Sequence, residues 1–333
     1  MAATAANSTS VNAVPMDVRT ALKEGMARLR AANVPSSTLA AELLLLHVLG
    51  RDRAWMYAHP EAPVDPAAAE KYVALLARRA AGEPTQYLTG KQEFWGLEFE
   101  VTPAVLIPRP ETEHVVEVAL ERLGEERGIR INMRTGESSP TLRIADVGTG
   151  SGCIAVALAR ELPHAEIIAT DISSDALEVA RRNAARHEVA ERIRFVRTDL
   201  LRALLDERGT SGHDSELFDL IVSNPPYVAR NEAAELAVEV RDHEPASALF
   251  GGPTGTELFA RLIEQAAELL AAPGDLVVEL GYNCADTVRA IVSRQRAWAN
   301  VSVTNDLAGI PRVLAAERIA DAEPITARSR RPG

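Results

Sequence analysis

From Thr141 onward the chain repeats one local pattern, a short run of aliphatic and β-branched residues followed by a longer stretch of helical spacing. Strands are expected at 142–147, 165–171, 192–197, 218–223 and 275–281, and helices at 151–161, 174–187, 254–272 and 284–296. Successive strands separated by helices cannot pair through tight turns. They align in parallel, with the helices covering both sheet faces and with right-handed crossovers. A closing pair, 301–305 and 312–317, is separated only by Leu307-Ala308-Gly309-Ile310-Pro311 and reads as an antiparallel hairpin at the sheet edge. The fold class is therefore α/β, with a seven-stranded Rossmann-like sheet.

In such a sheet ligands bind outside the carboxyl ends of the strands. The first strand ends in Asp146-Val147 and runs into Gly148-Thr149-Gly150-Ser151-Gly152. Glycines there let the backbone approach a ligand at the start of the next helix. The spacing G-x-G-x-G departs from the dinucleotide fingerprint, because its third place falls on Cys153. That disfavours a pyrophosphate and suits a nucleoside with a small charged tail. The second strand ends in Asp171, where a carboxylate can accept both hydroxyls of a ribose. The third is followed by Asp199-Leu200, an acid that can read an adenine amino group and an aliphatic cover for its ring. The fourth ends in Asn224-Pro225-Pro226-Tyr227. Proline cannot continue a ladder and forces the preceding residue out of the helical region. The result is a stiff elbow offering an amide oxygen and main-chain carbonyls to a planar NH2 group, with the Tyr227 ring available beside it. Each feature alone has a structural reading, as a tight turn, a helix cap or a Pro-Pro corner. Four successive strand ends carrying them together favour a site.

Ahead of the sheet, residues 17–83 are helical throughout. Val18, Leu22, Met26 and Leu29 share one face, Ser36 or Ser37 can cap a second helix closed by Gly50, and Asp65-Pro66 can start another. The run Leu43-Leu44-Leu45-Leu46 places the second helix in the core of a small bundle. That bundle is either a packing appendage or a docking surface. Residues 84–108 read as a β-hairpin linker and 109–320 as the sheet domain. Arg109, Glu111 and Glu113 fit a solvated helix start, and 124–140 fits a loop. Residues 1–16 and 321–333 read as disordered tails.

Composition narrows the classes. The chain has 333 residues, is 47% hydrophobic and 25% charged, and carries a net charge of -11, which argues against a broad basic surface for duplex nucleic acid. Its only cysteines, Cys153 and Cys284, lack CxxC spacing, so a reducing, cytoplasmic compartment is expected. No run approaches the length of a membrane span. Histidines and cysteines do not cluster at ligand spacing, so no metal is expected. Ser151 stands in G-T-G-S-G and not in a nucleophile elbow.

This constellation resembles that of S-adenosylmethionine-dependent methyltransferases acting on a planar exocyclic nitrogen. Further segments sharpen the likeness: Gly82-Glu-Pro-Thr-Gln-Tyr-Leu-Thr-Gly90, Glu93-Phe-Trp-Gly96, Ile107-Pro-Arg-Pro-Glu-Thr-Glu113, Glu244-Pro-Ala246, Leu249-Phe-Gly-Gly252 and Asp306-Leu-Ala-Gly309. With 146–153 and 223–227, they resemble the protein-(glutamine-N5) methyltransferase family that modifies peptide chain release factors, over 17–320. Leu200 stands where an aromatic residue can occur, and the segments 124–140 and 206–216 are long for the family. The resemblance implies that Gly148, Thr149, Gly150, Ser151 and Gly152 cradle the methionine part of S-adenosyl-L-methionine. Asp171 would hold the ribose, and Asp199 and Leu200 the adenine region. Asn224 and Pro225 would accept the two hydrogens of a substrate glutamine, held in the elbow with Pro226 and against Tyr227. It also implies a glutamine in the Gly-Gly-Gln loop of bacterial class 1 release factors, whose body the helical bundle would grip. A ribosomal-protein or nucleic-acid amino-methyltransferase with the same elbow, and a non-catalytic nucleoside-binding protein, are the competing readings.

Overall fold

The computed structural model describes residues 16–126, 142–211 and 217–320. The expectations for the two tails, apart from Met16, and for 127–140 fall outside these residues. The chain divides into two compact units between Thr89 and Gly90.

The first unit is helical: α1 (Val18–Ala31), α2 (Ser37–Leu49), α3 (Arg53–Ala58), α4 (Pro66–Ala80) and α5 (Thr85–Thr89). Aspartates start three of these helices, each accepting backbone N–H groups that the first turn leaves unpaired: Asp17 from Thr20 at 2.7 Å, Asp52 from Trp55 at 2.7 Å and Asp65 from Ala67 at 2.9 Å. Ser36, one of the two serines expected as a cap, sits instead at φ 49° with no capping hydrogen bond from its side chain, and Ser37, the other, is the first residue of the helix. Gly50 closes α2 in the left-handed region as expected. The core of this unit gathers Val18, Leu29, Ala41, Leu44, Leu45 and Tyr72. Leu39 and Leu43 stay exposed, so α2 buries one side and not its whole circumference. Its buried Glu42 is answered by Arg53 and the Tyr57 hydroxyl. Residues 85–89, expected in the hairpin segment, are helical.

The second unit opens with the hairpin β1 (Lys91–Phe94) and β2 (Leu97–Glu100), turned at Trp95 and Gly96, both at positive φ as a two-residue hairpin turn requires. After α6 (Glu113–Glu126) come β3 (Leu142–Val147), α7 (Cys153–Glu161), β4 (Ala165–Asp171), α8 (Ser174–Arg186), β5 (Ile193–Arg197), α9 (Arg202–Ser211) and β6 (Phe218–Ser223). A less regular stretch holds β7 (Val228–Ala229), α10 (Val238–Arg241), α11 (Ala246–Leu249) and β8 (Phe250–Gly252). The unit finishes with α12 (Glu257–Leu269), β9 (Leu270–Glu279), α13 (Ala285–Ser293), β10 (Trp298–Asn305) and β11 (Pro311–Arg318).

The seven-stranded sheet runs β10-β11-β9-β6-β3-β4-β5. Its strands are parallel from β5 through β9, and β11 lies antiparallel between β9 and β10. Alternate residues divide between two cores. Leu220 and Val222 pack with α6 and α7 on one face, while Ile221, Leu276 and Val278 pack with α12 and α13 on the other. Strands buried on both faces account for the near-continuous apolar runs of the sequence. Residues 124–126, expected in a loop, complete α6, and α9 occupies part of the segment 206–216.

Candidate active site

The carboxyl ends of β3, β4 and β6, and the segment after β5, open on one cleft. Its walls include Gly148, Thr149, Gly150, Ser151, Asp171, Asp199, Leu200, Asn224 and Pro226. The structure therefore brings together most of the residues singled out above. Gly152, Pro225 and Tyr227 are not on its wall.

The glycine loop is fixed from beneath by Asp146, which is fully buried. One carboxylate oxygen accepts from the Thr149 hydroxyl at 2.6 Å and from the Ala155 N–H at 3.1 Å. Burial pushes its carboxyl up to about 7, and its other oxygen has no partner. Gly148 and Gly150 sit at φ 72° and 55° with open space where a side chain would begin, whereas Gly152 abuts Ala180 of α8. The first two thus leave room for a ligand and the third serves helix packing. Asp171 is held by the backbone, accepting from Gly150 N–H at 3.0 Å and from Ser173 N–H at 2.8 Å. Burial raises its carboxyl above the usual range. The cap of α8 is Ser173, so Asp171 is not needed for that role. Asp199 is exposed and paired with Arg261. Leu200 is held in the left-handed region at φ 53°, a conformation that costs a non-glycine residue about 1–2 kcal/mol.

On the other side of the cleft, the Asn224 amide donates to the Thr112 hydroxyl at 3.0 Å, and that hydroxyl donates to Glu279 at 2.6 Å. The Tyr227 hydroxyl reaches the other oxygen of Glu279 at 3.2 Å, and its ring lies against Gly281. Gly251 and Gly255 admit the carbonyls of Pro226 and Tyr227, where an added side-chain carbon would stand within 2.4 and 2.3 Å of those oxygens. Pro225 is buried. A further apolar wall, Ala104 to Leu106 with Pro108 and Pro245, is tied together by Glu244, which accepts from the Ile107 N–H and pairs with Arg109. Arg109 and Glu113 therefore do more than solvate a helix start, since Glu113 also accepts from the Trp95 N–H at 2.8 Å. The whole wall carries two carboxylates and no lysine or arginine. Such a lining suits a cationic ligand better than a phosphate, for which it offers hydroxyl and amide groups but no positive charge.

Comparison with known proteins identifies the family. A family model described as the PrmC N-terminal domain matches residues 20–90, and one described as the methyltransferase small domain matches 128–243. The chain is 44% identical over 299 residues to the release factor glutamine methyltransferase of Koribacter versatilis (strain Ellin345), covering 90% of this chain and 98% of that one. It is 43% identical over 285 residues to that of Chlorobaculum tepidum, covering 86% of this chain and 92% of the relative. The chain belongs to the release factor glutamine methyltransferase family. Among solved structures, the hMettl16 catalytic domain in complex with MAT2A 3'UTR hairpin 6 shares the fold, with a TM-score of 0.51 at 19% identity over 74% of this chain and 83% of that one.

Within this methyltransferase, sequence reasoning gave no role to Thr112, Glu279 or Asp146. Asp146 and Glu279 left a signal: each is an acid at the end of an apolar strand run, as Asp171 is. Thr112 lay within the segment Ile107–Glu113 that carries the family likeness, but nothing local showed its role, because its neighbours in the site are remote in sequence. No helix among the described residues is long and apolar enough to cross a membrane.

Proposed function

We propose that this enzyme transfers the methyl group of S-adenosyl-L-methionine to the side-chain nitrogen of the glutamine in the Gly-Gly-Gln loop of bacterial class 1 release factors. The observation that carries this reading is that Asn224, at the end of β6, lines the same cleft as the open glycine loop and Asp171. The cofactor fits what is there: space above Gly148 and Gly150, acids at Asp171 and Asp199, and no basic side chain to suit a phosphate. Gly148, Thr149, Gly150 and Ser151 would hold its amino-acid part, with Gly152 setting the turn. Asp171 would hold the ribose, and Asp199 and Leu200 would border the adenine. When bound, it supplies a methyl group on a positively charged sulfur.

A carboxamide nitrogen is a poor nucleophile, because its lone pair is delocalised into the carbonyl. In this reading the Asn224 side-chain oxygen, on the cleft wall, accepts one of its hydrogens, and the main-chain carbonyl of Pro225, between the wall residues Asn224 and Pro226, accepts the other. They fix the nitrogen in line with the methyl carbon and favour the positive charge that develops on it. Transfer of that methyl group would break its sulfur–carbon bond as the nitrogen–carbon bond forms, and would leave one N–H proton acidic enough to pass to water. Pro226 stiffens the elbow and Tyr227 anchors it. The helical unit, with Leu39, Leu43 and Val73 exposed, is assigned to gripping the body of the release factor in the cytoplasm. The test is incubation with methyl-labelled S-adenosylmethionine and a release factor. Label is expected on the factor and is expected to vanish when its Gly-Gly-Gln glutamine is replaced. Label that survives this replacement, or that appears on nucleic acid, would overturn the reading.

A further inference from the structure

The elbow is held by a side-chain relay that begins far from it in sequence. Glu279 is 1% exposed and Thr112 2% exposed. Thr112 has one hydroxyl proton, and at 2.6 Å from Glu279 that proton is committed to the carboxylate. The same hydroxyl can then only accept from Asn224, so Asn224 must turn its NH2 group toward Thr112. Its side-chain oxygen is left for the cleft, and no described residue donates to it. Tyr227 spends its own hydroxyl proton on the second oxygen of Glu279. One carboxylate thereby orients both polar ends of the elbow.

We propose that Thr112 and Glu279 are positioning residues that set the polarity of the Asn224 amide, keeping its oxygen and not its NH2 group toward the substrate nitrogen. The kinetic part of this inference rests on the glutamine-methylation reading above; the orientation of the amide does not. A reversed Asn224 would face the substrate NH2 group with its own, donor against donor.

The relay has a proton dependence. Burial pushes Glu279 up to about 7, against the pull of Thr112, Arg312 and Tyr227, and Glu111 adds to the rise. Cys153 also feels this carboxylate, and burial holds its thiol up to about 12, so it stays neutral in this range. Arg109, whose charge acts on Tyr227, Asp306, paired with Arg312, and Asp146, which acts on the same Cys153, are further charged groups nearby. Once protonated, Glu279 can donate to Thr112, whose hydroxyl is then free to donate to Asn224 and stabilise the reversed amide. The turnover number should therefore fall as pH drops through about 7, with cofactor saturating.

The experiment uses the full-length protein with selectively labelled asparagine, the Asn224 side-chain signal being assigned by its loss in Asn224→Ala. In the wild type that NH2 signal should titrate near pH 7. In Thr112→Val and Glu279→Gln it should stay flat across the range. With S-adenosylmethionine and release factor, Thr112→Val should lower kcat about 100-fold with little change in KM or cofactor affinity, and should lose the acidic limb. Thr112→Ser, which restores the hydroxyl, should recover most of the rate. A non-titrating wild-type signal, or wild-type kcat and pH profile in Thr112→Val, overturns the proposal. If the wild type fails to methylate the release factor, the substrate reading falls, while the amide signal still decides the relay.

Discussion

The two halves of the sheet's carboxyl edge build their shares of the cleft by different means. On the side of β3, β4 and β5 the holding is local, by main-chain N–H groups and by one acid, Asp146, a few residues before the loop. Asp171 is fixed by two main-chain N–H groups, and the loop 148–152 is shaped by its own dihedral angles and by Asp146 beneath it. On the side of β6 and β9 the elbow depends on side chains brought from elsewhere. Asn224 leans on Thr112, 112 positions away, and Thr112 on Glu279, 167 positions away. A backbone-held group keeps its orientation when a neighbouring side chain changes. A relay of hydroxyls and one carboxylate loses its sense of direction when a single proton moves.

The sharpest way to break this contrast is at Asn224. Asn224→Ala should lower kcat by about 10²–10³ while cofactor affinity, measured by calorimetry, stays within a few-fold. A matching collapse of cofactor affinity would show that the halves are not separable. A smaller effect is expected at Gly281, where an added carbon would stand 2.5 Å from the Tyr227 ring. Gly281→Ala should cost about 1–3 kcal/mol in urea unfolding and reduce turnover as the ring is displaced. Unchanged stability would mean that the ring yields freely and does not anchor the elbow. The smallest effect belongs to Arg261→Ala on the other side. Its pair with Asp199 is about half exposed at each end, so its loss should cost under about 1 kcal/mol and leave kcat unchanged. A larger loss would put a side-chain relay on the β5 side as well and erase the distinction.

The same contrast explains what was legible in the sequence. The parallel strands, the glycine loop and the acid at Asp171 are local patterns, in which strand, turn and helix start follow one another within a few residues. Their positions are recovered closely, with β3, β4 and β6 at their expected bounds. Helix ends were less legible, as at Ser36, where the backbone adopts a left-handed turn and the hydroxyl makes no cap. The short pair β7 and β8 was not anticipated, since two or three residues carry no measurable periodicity. The elbow was visible as an odd local motif, but its orientation was not. Whether an amide shows its oxygen or its nitrogen to a cleft depends on Thr112 and Glu279, and their proximity exists only after the sheet has formed. Tyr227 shows the same limit: its chemistry suggests a stacking surface, while Gly281 and Glu279 place it as a brace off the cleft wall.

The interleaving of β11 between β9 and β10 has a consequence for how the molecule is made. A ribosome delivers β10 before β11, yet β10 has no place in the sheet until β11 has paired with β9. During synthesis the β9 flank must wait as a bare edge, the kind of surface that invites misassociation, while strands β3 to β6 can already associate. The arginine that accompanies Glu279, Arg312, also arrives with this late strand. A half-made chain can thus own a formed glycine loop while Glu279 still lacks the arginine whose charge acts on it.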